Sequence, residues 1–252
     1  MSWLEEKPEI AKKILRLLYE HKMIRTFYRD KADGWTLVSG VYSPLYIQLR
    51  PLLSYPEVFV ETCSALSRMA KYEAPEINRV VGIAMAGIPI AAGMCYAGNF
   101  PGCFTRKMEG VKSVESFREM IVEYGEHSLV EGEIEDGDHL ALVDDLVTRF
   151  DSKLIAFEQI KHEAAVRGLK KVSCRTVVVI LDREQGANET AKAAGFNIIS
   201  LIPFKSLGLD LLKGTMHDSE WRVIRDYLND PEAFQDRSVQ ERLAVMGMNR
   251  NQ

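Results

Sequence analysis

The sequence predicts an α/β fold: a parallel sheet flanked by helices, with a small N-terminal hood lobe. Three observations carry that prediction. From about residue 79 onward, short apolar runs alternate with helical segments. Those runs are apolar on both faces, as strands covered on both sides of a sheet must be. The first 74 residues follow another rhythm, with helix, paired short strands and helix in turn. With 252 residues, 46% of them hydrophobic, the chain has material for one such core and a lobe beside it.

The elements follow in order. Residues 4–21 carry Ile10, Ile14, Leu17 and Leu18 at helical spacing. WTLVSG (35–40) and PLYIQLR (44–50), joined by a Gly-containing turn, predict a hairpin. Residues 56–72 are expected to be helical, with Val58, Phe59, Thr62, Cys63, Leu66 and Met69 on one face. Strands are then expected at RVVGIA (79–84), GCFTR (102–106), HLALV (139–143), VVVIL (177–181) and NIISLI (197–202). Between them lie helices at 88–97, about 152–167 and 187–194, and one more begins near 217 and runs into a polar tail expected to fray. The expected division is 1–74 for the lobe, 75–216 for the core and 217–252 for the terminal helix and tail. Residues 107–138 form a long charged insertion between two core strands, with the length and position of a lid. Its segment SVESFREMIVEY places Val114, Phe117, Met120 and Ile121 on one helical face.

Composition removes several classes of function. A net charge of −4 supplies no broad basic stripe for nucleic acid. The most apolar stretch, 83–98, is broken by Pro89 and several glycines, so no membrane span is expected. The N-terminus MSWLEEKPEI is acidic and lacks an apolar signal core. Cys63, Cys95, Cys103 and Cys174 fit neither a zinc pattern nor a small disulfide framework, as expected for thiols in a reducing cytoplasm. His21, His127, His139, His162 and His217 have no metal spacing, and EIEDGD (133–138) lacks the ligand spacing of a calcium loop.

The stretch that carries chemistry is ALVDDLVTRFDS (141–152). Asp144 and Asp145 follow an apolar strand directly, and ligands of parallel sheets bind at the carboxyl ends of the strands. Two adjacent carboxylates need compensation, which a metal, sugar hydroxyls or a cationic group would each supply. The following turn leads into a helix whose expected apolar face is Leu154, Phe157 and Ile160, with Asp151 or Ser152 as N-cap. A helix N-terminus offers backbone N–H donors and a favourable dipole to an anion. Acids for ribose hydroxyls beside amides for a phosphate describe a ribose 5-phosphate pocket.

In this order, LVSGVYSPLYIQLR (37–50), VVGIAMAGIPIAA (80–92), TRKMEG (105–110), YGEHSLVEG (124–132), LVDDLVT (142–148) and VVVILDREQGA (177–187) resemble the segments of orotate phosphoribosyltransferase, a type I phosphoribosyltransferase, including the corresponding part of UMP synthase. The resemblance spans roughly residues 30–205, and LDREQGA with SGVYSPLYI is its most specific part. It implies a transfer of phosphoribose from phosphoribosyl pyrophosphate to orotate in UMP synthesis. Asp144 and Asp145 would hold the ribose and help organise a Mg²⁺-bound substrate. Leu146, Val147 and the turn Thr148, Arg149, Phe150, Asp151 and Ser152 would receive the 5-phosphate. Met85 and Ala86, before Gly87, would contact pyrophosphate, as would Arg106 and Lys107. Tyr46, Ile47, Thr148 and Arg183 would line the orotate site, where the planar fork of Arg183 suits a carboxylate. The resemblance also implies a cytoplasmic homodimer whose lid reaches across the interface.

The chain departs from the family in three places. Phe150 stands where glycine is usual and Asp151 where a small residue is usual. Val38 stands where a lysine commonly precedes the first SG. Gly110 stands where the lid has its second lysine, so Lys112 becomes the candidate catalytic lysine beside Lys107, and Tyr124-Gly125 follows only after an insertion. A bulky Phe150 is expected to crowd the phosphate, with Arg149 offsetting the charge of Asp151. Two alternative functions follow: a non-catalytic sensor of the nucleotide built on the same fold, or a phosphoribosyltransferase for another base.

Overall fold

The computed structural model describes residues 2–37, 39–122 and 128–248. Val38, Tyr124-Gly125 and His127 lie outside the described residues. The elements run α1 (Trp3–Glu20), β1 (Ile24–Thr26), β2 (Trp35–Thr36), β3 (Tyr42–Ser43), β4 (Leu45–Ile47), α2 (Pro56–Glu73), β5 (Arg79–Gly82), α3 (Gly87–Gly98) and β6 (Gly102–Thr105). They continue with α4 (Val114–Ile121), β7 (Val130–Glu131), β8 (His139–Val147), α5 (Asp151–Val166), β9 (Ser173–Asp182), α6 (Ala187–Ala193) and β10 (Asn197–Pro203). The last are α7 (Leu209–Leu211), α8 (Asp218–Asn229) and α9 (Arg237–Met248).

The chain divides into two compact units, the first made of Met1–Lys7 with Pro56–Pro203 and the second of Pro8–Tyr55 with Phe204–Gln252. These bounds differ from the sequence division. Helix α2, expected in the N-terminal lobe, packs on α3, β9 and β10, because Cys63, Leu66, Ser67 and Met69 form a buried stripe. The C-terminal region groups with residues 8–55 rather than standing as a tail.

The first unit holds a six-stranded sheet in the order β10-β9-β8-β5-β6-β7. All neighbours are parallel except β7, which runs antiparallel to β6 and returns the chain from the insertion. Alternation assigns the faces. Val81, Leu140, Leu142, Val177 and Val179 share one buried cluster with Ala156 and Ile160 of α5 and Ala187 and Ala191 of α6. Val80, Ala141, Val143, Val178 and Ile180 point the other way and are wholly buried on the side of α2 and α3. Far from the strand carboxyl ends, buried Arg79 donates to Asp138 (2.6 Å) and Glu135 (3.1 Å), which pins the EIEDGD turn to the start of β5.

Strand β8 is longer than the sequence predicts: it runs through Asp144 to Val147, where Leu146 and Val147 still pair with Leu181 and Asp182 of β9. The acid pair therefore lies inside the last turn of pleat rather than after the strand.

In the second unit, the expected hairpin is only partly the observed one. β2 pairs with β3 antiparallel, but Leu45–Ile47 turn to pair with β1 instead. Buried Glu220 of α8 accepts from the hydroxyls of Tyr19 (2.9 Å) and Thr26, and the side chain of His217 caps the same helix. The tail expected to fray contains α9, whose Leu243 and Gly247 are buried; Gly247 lies against the backbone of Phe27 and Ala32.

Candidate active site

The period of two along a strand splits the acid pair. Asp144 follows Leu140 and Leu142 onto the side of α5, and Asp145 points to the other side. Each carboxylate is then satisfied differently. One oxygen of Asp144 accepts from the Asp145 N–H (2.9 Å) and the other from Lys153 Nζ (2.8 Å). Asp145 accepts from the Leu146 N–H (2.8 Å). Burial pushes the Asp145 carboxyl up to about 7, and the neighbouring charge of Asp144 adds to the shift.

Lys153 is buried, and its ammonium also donates to the Leu146 carbonyl (3.0 Å) and to Ser152 Oγ (3.3 Å). It was not among the residues singled out from the sequence. The signal was present: Lys153, Ala156, Ile160 and Glu163 share helical spacing and are all buried in α5. The face expected for this helix was displaced by about one residue, since Leu154 and Phe157 are only partly buried.

The turn Thr148–Ser152 does not carry a bulky group over the phosphate position. Phe150 is 1% exposed; its ring turns into the core cluster and meets Phe196 edge-on at 5.4 Å. Its backbone, φ −100°, lies in the right-handed region and asks nothing of glycine. Phe150, not Asp151 or Ser152, is the N-cap residue of α5, and no side chain caps the helix. Its carbonyl accepts from the N–H groups of Lys153 and Leu154. The first-turn amides of Asp151 and Ser152 therefore have no helical acceptor and remain available to an anion. Arg149, Asp151 and Ser152 are exposed on this turn.

The turn after β5 lies hard against the acid strand. A Cβ on Gly87 would collide with the Val143 carbonyl oxygen and come 3.2 Å from the Asp144 Cα. Only glycine permits that approach. Met85 is exposed, Ala86 is half-buried, and the Ala84 N–H donates to Thr105 Oγ1 (3.2 Å) at the end of β6. Arg106 and Lys107 follow and are exposed. Both line a cavity of about 180 Å³ together with Thr105, Val111, Ser152 and Gln159. The structure thus brings the expected pyrophosphate cations and the start of the phosphate helix to one cavity.

The insertion is tied to α5 at both ends. Gln159 Nε2 donates to the Arg106 carbonyl (2.8 Å), and Glu163 accepts from the Leu129 N–H (2.7 Å) and Ser128 Oγ (3.1 Å). Burial alone would raise the Glu163 carboxyl, but the bonds from Leu129, Arg167 and Ser128 hold it below the usual range. Between the ties, α4 begins at a Ser113–Ser116 capping box. Its Phe117 is buried with Met108 and Leu129, and Ile155 of α5 packs against them. Lys112 is exposed, with its N–H donated to Ser116 Oγ (3.0 Å).

Arg183 is buried at the end of β9, and its N–H donates to the Val147 carbonyl (3.0 Å), so it stands one strand from the acid pair. Asp182, raised by burial, accepts from the Glu184 N–H (2.8 Å) and Asn188 (2.6 Å) and so shapes the LDREQGA turn. Tyr46 and Ile47 belong to the second unit: Tyr46 stacks on Trp35 at 5.8 Å, and buried Ile47 pairs with Ile24.

Each Asp144 oxygen already accepts one bond, from Lys153 Nζ and from the Asp145 N–H. Among the described residues no group of three or more His, Cys, Asp or Glu converges as a cage. The four cysteines are unbridged thiols, and no described helix is long and apolar enough to cross a membrane.

Comparison with solved structures shows the fold. Leishmania donovani UMP synthase superimposes with a TM-score of 0.66 at 22% identity, over 87% of this chain and 42% of that one. Orotate phosphoribosyltransferase from Aeropyrum pernix gives 0.62 at 21%, over 80% and 97%. The chain has the type I phosphoribosyltransferase fold. No family model matches it. Its sequence relatives narrow the resemblance to the orotate phosphoribosyltransferases. That of Bacillus subtilis is 26% identical over 214 residues, 83% of this chain and 89% of the relative. The uridine 5'-monophosphate synthase of Caenorhabditis elegans is 30% identical over 202 residues, 80% of this chain, which spans only 37% of that relative.

Two outcomes are expected. Phe150→Gly, which restores the usual family residue, empties a core position and costs about 3–5 kcal/mol of stability, read as a lower urea midpoint at unchanged slope. Asp145 contributes to a pH trend. Its native carboxyl titrates near 7 against an ordinary 3.8, so the native state holds the proton more tightly. The resulting stability is fully present below the ordinary value and is lost as pH rises through about 7. Melting temperature across that window should fall less in Asp145→Asn than in the wild type.

Proposed function

We propose that the protein is an orotate phosphoribosyltransferase, forming orotidine 5-phosphate and pyrophosphate from orotate and phosphoribosyl pyrophosphate. The observation that carries this is the placement of Arg183 at the end of β9, held by the Val147 carbonyl one strand from Asp145 and the uncapped start of α5. A planar cation for a carboxylate, an acid for ribose hydroxyls and open amides for a phosphate match the three parts of that reaction. The sensor reading drew on the altered turn Arg149–Asp151 and on Val38 in place of a lysine; the Phe150 side chain is in the core, and Val38 lies outside the described residues.

In the reaction, the bond from the anomeric carbon to pyrophosphate breaks with its electron pair leaving on oxygen. A bond forms from that carbon to the pyrimidine nitrogen. The carbon passes through an oxocarbenium-like state, so the protein's work is to position, to neutralise the leaving group and to exclude water. Asp145 would accept from the ribose hydroxyls, the amides of Asp151 and Ser152 would hold the 5-phosphate, and Arg106 and Lys107 would face pyrophosphate. Lys112, on the insertion that α5 anchors, would approach as the lid closes. Thr148 would line the base beside Arg183. Phosphoribosyl pyrophosphate would enter as its Mg²⁺ complex. We place the enzyme in the cytoplasm, as a homodimer whose lid reaches the neighbouring site.

A pyrophosphate-release assay with Mg²⁺, phosphoribosyl pyrophosphate and orotate, run beside uracil, hypoxanthine and nicotinate, tests this. Orotate should be the base that supports turnover. Arg183→Ala should lower kcat/KM for orotate roughly a hundredfold, the equivalent of ~3 kcal/mol for charged hydrogen bonds lost. Turnover with another base, or with none, would contradict the assignment.

A further inference from the structure

The ammonium of Lys153 is nearly sealed from solvent, with 4% of the side chain exposed, and so is its partner Asp144 at 12%. An ammonium has three protons to donate. Here they meet Asp144 (2.8 Å), the Leu146 carbonyl (3.0 Å) and Ser152 Oγ (3.3 Å). All three acceptors are oxygens, drawn from the acid strand and the phosphate helix. That is the kind of oxygen shell a small hard cation takes. The remaining oxygen of Asp144 is held by the Asp145 N–H.

We infer that Lys153 is a built-in counter-ion for the acid pair, its ammonium standing beside Asp144 where a divalent cation would have to stand. Resting on the phosphoribosyltransferase reading above, this means that Asp144 ligates no metal itself. A cation bound to Asp144 would face the ammonium across a single carboxylate, in a site with little water to screen the repulsion. The same three bonds make Lys153 a positioning residue. They join the end of β8 to the first turn of α5, the two walls between which the phosphate turn is strung. Arginine or methionine at 153 separates these roles, since arginine keeps the charge and methionine keeps only the length.

The test uses the full chain and Mn²⁺ as probe, followed by loss of the free Mn²⁺ resonance in the absence of phosphoribosyl pyrophosphate. Wild type and Lys153→Arg should show no binding that depends on Asp144. Lys153→Met should gain one Mn²⁺ site, and adding Asp144→Asn to it should remove that site. In steady state, Lys153→Met should raise KM for phosphoribosyl pyrophosphate about tenfold or more with KM for orotate little changed, and Lys153→Arg should recover most of the loss. Wild-type protein that binds Mn²⁺ alone, and loses it in Asp144→Asn, overturns the inference. So does a folded Lys153→Met that gains no site. If Lys153→Met does not fold, the wild type and its Asp144→Asn variant decide alone. Orotate-dependent turnover by wild type reports on the proposed reaction, whereas Mn²⁺ binding without substrate reports on Lys153, so either can fail without the other.

Discussion

Two adjacent carboxylates at the carboxyl end of a central parallel strand have to be made tolerable, and much of the first unit is arranged around that constraint. Pleating turns them to opposite faces, although the charge of Asp144 still raises the Asp145 carboxyl. Asp144, turned toward α5, takes a buried ammonium and the neighbouring amide. Asp145 keeps one backbone donor and a carboxyl that burial pushes up to about 7. The arrangement needs α5 to begin where it does, because Lys153 reaches Asp144 only from the first turn of that helix. It also needs glycine at 87, so that the turn after β5 can close onto the backbone of Val143 and Asp144.

The proposed phosphate turn follows from the same helix. A glycine-rich turn is one way to bring amides to an anion, through backbone freedom. In this chain the turn is fixed from below: Phe150 is anchored among Phe196 and the core cluster, in an ordinary right-handed conformation, so the exposed residues around it are held by a buried one. Burying a phenylalanine stabilises by about 2–3 kcal/mol, which helps offset the cost of an uncapped helix start. Further along, Gln159 and Glu163 tie both ends of the insertion to this helix. One element therefore carries Lys153, the proposed phosphate turn and the anchors of the insertion.

Much of the architecture was legible in the sequence because buried parallel strands are largely apolar on both faces, as VVVIL, HLALV and NIISLI are. What was not legible has physical reasons. The extension of β8 through Asp144 and Asp145 is invisible to hydrophobicity, since only pairing with β9 keeps those polar residues in the strand. The short β7 and the pairing of β4 with β1 depend on distant partners. Helix α9 buries Leu243 and Gly247 but leaves Val245, Met246 and Met248 exposed, so it offers little period to read. The acid pair, Arg183, Arg106 and Lys107 were recognisable from motifs. Phe150 was recognised as unusual, but its effect was misjudged because rotamer and burial decide which side of a turn a ring occupies. Lys153 escaped notice because a lysine is expected on a solvated face, although its spacing to Ala156 and Ile160 puts it on the buried one.

The most direct measurement is a crystal structure of the protein with phosphoribosyl pyrophosphate and Mg²⁺. The predicted result has the 5-phosphate on the amides at the start of α5, Asp145 on the ribose hydroxyls, Phe150 still in the core and Lys153 still on Asp144. A phosphate bound elsewhere, or a Phe150 ring displaced to admit it, would contradict the account.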